Sequence, residues 1–364
     1  MIPIASPEIG DPERERVLDV LDSGQLAAGE QVEAFEREFA TRCGAAHGVA
    51  TSNGTTALHA ALHALGVGEG DTVVTTPFSF IATANAVRLV GARPVFVDID
   101  PRTYNLDPGA VERMLRRRDD VAAVLAVHLY GLPAAMEELS ALADEYGVAL
   151  VEDAAQAHGA RYDGRPVGSL GDAACFSFYP TKNMTTGEGG MVVTDDAGVA
   201  ERADRFIDHG RTEGYRHAEV GHNFRMTDLA AAIGRAQLGR LDEAVERRRA
   251  NAALLDERLA GTPVRTPAAP AGRRHAYHQY TVRTDRREAL AEHCREQGVD
   301  TAVYYPVPIH DQPAYEGYDA DAPTAARAAE EVLSLPVHPA LSQHEIEQVA
   351  DAARSFYAER AGAR

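Results

Sequence analysis

Cys175-Phe-Ser-Phe-Tyr-Pro-Thr-Lys182-Asn-Met-Thr-Thr-Gly-Glu-Gly-Gly190 joins two β-rich runs and holds the only lysine among 364 residues. Of the 36 lysine and arginine side chains, the other 35 are arginine. Arginine can stand in wherever a solvated positive charge is enough. It keeps its proton in a protein, whereas a lysine amine can be tuned down to a nucleophile. A lysine retained alone is therefore a candidate for nitrogen chemistry, typically a Schiff base with a carbonyl. Chance survival on a surface loop is the alternative, and the surroundings decide between them.

Outward from this stretch the chain keeps a βαβ rhythm. Short β-rich runs occur at Gly48–Thr51, Thr72–Thr75, Pro94–Val97, Val121–Val127, Val148–Val151, Ala173–Phe178 and Gly190–Thr194. Helical spacing separates most of them, as with Leu58, Ala61, Leu62 and Leu65. The expectation is an α/β fold with a mostly parallel seven-stranded sheet covered on both faces. Sites in such sheets collect at the carboxyl ends of the strands. After Asp195 the pattern changes: residues 225–260 read as mostly helical, and the Pro/Ala/Gly-rich stretch Gly261–Arg273 reads as a linker. A strand at Tyr277–Arg283, a helix at Arg286–Gln297, a strand at Asp300–Tyr305 and two closing helices follow. A large domain at 1–245, with an N-terminal arm, and a smaller α+β domain at 246–364 are therefore expected.

Composition narrows the function. A net charge of −19 argues against nucleic acid or an anionic membrane surface as partner. No apolar run is long enough to span a bilayer, and the N-terminus lacks a signal-peptide pattern, so a cytoplasmic location is expected. Cys43, Cys175 and Cys294 show no CxxC spacing and read as small buried hydrophobes. His59 and His63 are four apart on one helix, without the glutamate or third ligand of a zinc site, so no metal is expected.

Four strand ends carry chemistry. Ser52-Asn-Gly54-Thr55-Thr56 lies between a strand and a helix expected to open at Leu58, where free amides and the helix dipole can cradle a phosphate. An ordinary N-cap is the competing reading. Glu152-Asp153-Ala-Ala-Gln156 follows a buried run; Asp153 can hold a pyridinium nitrogen protonated and Gln156 can donate to a phenolate oxygen. The same two residues also match a capping box for a following helix. Ser177 is a candidate phosphate ligand. Phe80, after Thr76-Pro-Phe-Ser, can stack on a ring face or simply fill the core. Together with Lys182, these groups suit pyridoxal phosphate.

The same segments resemble the DegT/StrS family of pyridoxal-phosphate-dependent nucleotide-sugar aminotransferases, of fold type I. The resemblance rests on Ser52-Asn-Gly-Thr-Thr-Ala-Leu-His, Glu152-Asp-Ala-Ala-Gln-Ala-His-Gly-Ala, Phe176-Ser-Phe-Tyr-Pro-Thr-Lys, Gly221-His-Asn-Phe-Arg-Met-Thr-Asp, Tyr305-Pro-Val-Pro-Ile-His and Leu333-Ser-Leu-Pro-Val-His-Pro. It implies that Lys182 is the Schiff-base lysine, Asp153 the pyridinium partner, Gln156 the residue at the phenolate oxygen and Phe80 the stacking aromatic. Gly54, Thr55 and Ser177 match the phosphate cup. Asn223 matches an asparagine that reaches the phosphate from a neighbouring subunit, which implies a homodimer with shared sites.

The implied reaction moves an amino group from L-glutamate to a nucleotide-linked keto-sugar by a ping-pong route. The Thr185-Thr-Gly-Glu-Gly-Gly190 loop resembles that of family members acting at carbon 4, which implies a 4-keto-6-deoxyhexose. A 3-keto-sugar or keto-inositol is the alternative within the family, and a non-catalytic regulator retaining the fold is the alternative outside it. His158, Tyr305 and His310 are candidate substrate contacts.

Overall fold

The computed structural model describes residues 1–361, with side chains to residue 358. The seven β-rich runs become β1 His47–Thr51, β2 Thr72–Thr75, β3 Arg93–Phe96, β4 Val121–Val127 and β5 Ala149–Asp153. After the two-residue strands β6 Arg161–Tyr162 and β7 Arg165–Pro166 come β8 Ala173–Ser177 and β9 Gly190–Thr194. They form one sheet in the order β1-β9-β8-β5-β4-β2-β3. Neighbours pair in parallel, except that β9 runs antiparallel to both β1 and β8. Six strands thus point the same way, and their carboxyl ends share one edge.

Alternation explains why both faces are covered. In β9, Val192 packs with Leu58, Leu62, Val73 and Leu125 on one face, while Met191 and Val193 pack with Phe35, Phe39 and Phe176 on the other. Each fully buried side chain of this size contributes roughly 1.5–3 kcal/mol. The helix that crosses the first face runs Gly54–Ala64. It starts four residues earlier than expected, because the Asn53 carboxamide accepts from Thr56 N and caps the chain there.

A 32-residue helix, Asp228–Leu259, follows the sheet; at 1.5 Å per residue it is about 48 Å long. Its Leu241 and Val245 belong to the Phe35–Phe39 core. Its Ala252, Leu255 and Leu259 belong to a second core built on Tyr280, Leu290, Leu333 and Ile346. That second core surrounds a two-stranded antiparallel sheet of β11 Tyr280–Arg283 and β12 Val332–Leu335, while β10 Arg273–Arg274 pairs with β6. The boundary expected at 245/246 falls inside the long helix, and the last three residues of the expected second domain lie outside the described residues.

Two expectations fail here. Asp300–Tyr305 is not a strand; it contributes one isolated bridge, Ala302 to Ser334. The Tyr130 hydroxyl donates to the Tyr304 carbonyl, and Pro306 and Pro308 follow, so pairing with β12 goes no further than that one bridge. The capping box at Asp153–Gln156 does not form either, since no helix follows β5. Both side chains are engaged in tertiary contacts instead.

Next to Asp153, Glu152 is fully buried and accepts from the amides of Gly168 (3.1 Å), Leu170 (2.8 Å) and Gly171 (3.0 Å). It also faces His128 Nε2 at 2.9 Å. His128 Nδ1 accepts from Ala134 N, so the ring proton sits on Nε2 and is donated to Glu152. Glu152→Ala strands four buried donors at once. We expect it to destabilise the fold by roughly 3–5 kcal/mol, read as a lowered denaturant midpoint. An unchanged midpoint would count against this network.

Candidate active site

The carboxyl ends of β1, β2, β4, β5 and β8 open onto a cavity of about 770 Å³. Gly54, Thr55, Phe80, Asp153, Gln156, Ser177, Lys182 and Tyr305 all line it. Residues 54 to 182 converge because the parallel strands bring their following loops to one edge, and Tyr305 joins them through Gln156.

On the β1 side, Asn53 uses its side chain and carbonyl to hold the amides of Thr56 and Ala57. The Gly54 and Thr55 amides remain at the positive end of the helix, and Gly54 itself lies against Ser177. A Cβ placed on Gly54 would lie 2.7 Å from Ser177 Cβ, so only glycine lets the two turns approach this closely. Gly190 plays the matching part behind them: it pairs with both Thr51 and Ser177, and a Cβ there would meet the Asn53 carbonyl at 2.3 Å. The Gly-Glu-Gly-Gly turn thus ends in a close-packing position that lets β9 fit between β1 and β8. Gly54→Ala should push Ser177 out of place and weaken retention of an anion at this helix end about tenfold or more, measured as the dissociation constant of the bound cofactor in the alanine variant.

Asp153, at the end of β5, is 5% exposed. Its Oδ2 accepts from Thr83 Oγ1 at 2.8 Å and its Oδ1 from Ala155 N at 3.2 Å. Thr83 in turn is 2.8 Å from Ser79 Oγ, which must donate because the Thr83 proton is already committed. Burial pushes the Asp153 carboxyl up; the Thr83 and Ala155 bonds, and the positive charge of Lys182, pull it back. The Lys182 amine is brought down to about 8 by burial, with Asp153 opposing. A lysine in this range releases its proton near neutrality, which suits a nucleophile or a proton carrier.

Gln156 ties the turn after β4 to the Tyr305 segment. Its Oε1 accepts from Tyr130 N at 2.6 Å, and its Nε2 donates to the Tyr305 hydroxyl at 2.9 Å. Phe80 is 57% exposed and stands 6.2 Å from the Tyr305 ring at the cavity mouth. Sequence reasoning missed Thr83, Ser79 and Tyr130. The spacing Ser79-x-x-x-Thr83 at a helix start was the available signal for the first two. Nothing local signals Tyr130, whose backbone amide does the work.

Two candidate substrate contacts lie elsewhere, and Asn223, expected at a neighbouring subunit's site, lies outside its own cavity. His158 is buried among Phe39, Phe176 and Phe178, and neither ring nitrogen has a partner. Burial, aided by the charge of Lys182, drives it down to about 3, so it is a neutral core ring away from the cavity. His310 sits on the short turn Ile309–Asp311 against Phe96 and does not line the cavity. Its neighbours Pro308 and Ile309 turn it into that packing. Asn223 is exposed on the chain that bridges to Asp208, outside its own cavity.

The model of the DegT/DnrJ/EryC1/StrS aminotransferase family matches residues 7–354. The chain belongs to this family. Among its relatives, the pleiotropic regulatory protein of Geobacillus stearothermophilus is 44% identical over 354 residues, 95% of each chain. The dTDP-3-amino-3,4,6-trideoxy-alpha-D-glucose transaminase of Streptomyces venezuelae is 43% identical over 342 residues, 93% of this chain and 90% of the relative. The crystal structure of S. venezuelae DesV in complex with a ketimine intermediate superposes with a TM-score of 0.92 at 42% identity, covering 95% of this chain and 94% of that one.

As a DegT/DnrJ/EryC1/StrS member the protein is a sugar aminotransferase of fold type I that uses pyridoxal phosphate. The residues present fit that cofactor: a helix end narrowed by Gly54, a buried carboxylate and a lysine share one cavity. No described helix is long and apolar enough to cross a membrane.

Proposed function

We propose that the protein moves the amino group of L-glutamate onto the carbonyl carbon of a nucleotide-linked ketohexose. The observation that supports this most is that Lys182 and Asp153 face one cavity. The cofactor, when bound, supplies an electron sink and stores the amino group between the two substrates. Lys182 would hold it through Nζ, and the free Lys182 amine would move the proton at the substrate carbon. Asp153 would hold the ring nitrogen protonated, and the hydrogen bonds from Thr83 and Ala155 favour its ionised form against burial. Gly54, Thr55 and Ser177 hold the phosphate, while Gln156 and Phe80 orient and cover the ring. Tyr305 stands where the sugar enters.

For the ring position, the relative from S. venezuelae, whose name gives a 3-amino product, favours carbon 3. The Thr185–Gly190 loop favours carbon 4 and supports the second reading. We further propose a homodimer in which Asn223 of each chain completes the other's cavity, a reading supported by its exposure outside its own.

A single-turnover experiment tests the proposal. The holoenzyme is bleached with L-glutamate, freed of donor, and offered nucleotide-linked 3-keto and 4-keto sugars separately. Return of the original absorbance with an amino-sugar mass identifies the acceptor and its ring carbon. Bleaching by glutamate without return on any nucleotide sugar would overturn the acceptor class. No response to glutamate, from a protein that still binds the cofactor, would instead favour a regulator.

A further inference from the structure

A second cavity, of about 140 Å³, lies where the N-terminal arm, the long helix and the Lys182 loop meet. A single water needs roughly 10–15 Å³ by this measure, so the space admits a small polyatomic ligand. Four cationic side chains line it, Lys182, Arg240, Arg247 and Arg248, against two carboxylates, Glu8 and Glu243. In a chain of net charge −19 this local excess is unusual.

The arginines are not equally committed. Arg240 is taken up by Glu13 Oε1 at 3.1 Å and by the Glu8 carbonyl. Arg247 is exposed and has no hydrogen bond or ion pair among the described residues. Arg248 is the decisive group. It is 6% exposed and no carboxylate pairs with it. Its hydrogen bonds both come from Nη1, to the carbonyls of Tyr277 (3.2 Å) and His278 (3.3 Å), and its Nε has none. Burying an uncompensated guanidinium is costly, and this one is brought down to about 10 by desolvation. Nη2 makes no hydrogen bond among the described residues and is not sealed as Nε is, so it is the donor left for a charge-assisted bond to an oxyanion. By contrast, the large cavity has no arginine in its lining.

We propose that this second cavity is a binding site for a small oxyanion, a carboxylate or phosphate, held by Arg248 and Arg247. Lys182 lines both cavities, so an anion here also favours a protonated nitrogen at Lys182. That coupling rests on the role given to Lys182 above; anion binding itself does not.

The test uses the holoenzyme at constant ionic strength, titrated calorimetrically with inorganic phosphate, with glutarate as an unreactive dicarboxylate, and with chloride. Saturable binding of phosphate or glutarate, one per chain and at least tenfold tighter than chloride, is expected. Arg247→Ala should weaken it about tenfold and Arg248→Met should abolish it. The first variant removes an exposed side chain without partners, so it guards against misfolding of the second. Glutarate binding alone marks the donor's carboxylates as the source, and phosphate binding a free anion. Chloride binding as tightly as either oxyanion, or affinities unchanged in both variants, overturns the site. If the anion binds but the pH midpoint of the cofactor's colour does not move upward, the coupling to Lys182 is overturned and the site stands.

Discussion

Lys182→Arg is expected to lower transamination by at least about 10⁴-fold while leaving the fold intact. Covalent attachment and proton transfer both need a nitrogen that loses its proton, and a general base alone is typically worth 10²–10⁴-fold. Burial has brought the lysine down to about 8, whereas a guanidinium in the same place stays charged. The extra bulk points into a cavity of about 770 Å³, so packing does not oppose it. The check is a turnover assay beside a thermal melt and a cofactor absorbance spectrum. Substantial activity in a folded variant would mean that Lys182 is not the attachment point.

The second large effect is expected from Asp153→Asn, a loss on the order of 10²–10³-fold in the rate of proton removal from glutamate. The change preserves size and keeps an oxygen for Thr83 Oγ1 at one position. It removes the negative charge that favours a protonated ring nitrogen, and with it most of the electron sink. A structural role alone would lower cofactor retention or melting temperature equally, so the informative readout is the half-reaction with glutamate at saturating cofactor. If that rate is unchanged, Asp153 serves only to anchor β5 to Thr83.

Most of the sheet could be read beforehand. Its strands are short, buried on both faces and rich in Val and Ala, and in β4 and β9 the pattern leaves almost no other reading. The site was equally legible where chemistry demands an unusual residue, as at Lys182, or a close approach, as at Gly54. Errors arose where a local rule competed with a distant partner. Asp153 and Gln156 have the spacing of a helix cap, yet Thr83, Tyr130 and Tyr305 claim their side chains from elsewhere in the chain. Asp300–Tyr305 has strand composition, but its backbone is held by Tyr130. His158 was a candidate substrate contact, and the turn after β5 sends it into the aromatic core.

The long helix Asp228–Leu259 has a consequence for how the molecule comes apart. One end is embedded with Phe35 and Phe39, the other with Tyr280 and Leu333, and no break separates them. Melting either half frays the shared rod and strips apolar side chains from the other, so the two halves should lose structure in one cooperative transition. A chain severed at 245 would end just as Leu241 and Val245 finish packing, with no following turns to hold that stretch helical. Separate pieces 1–245 and 246–364 are therefore expected not to fold alone, which expression of each piece would check.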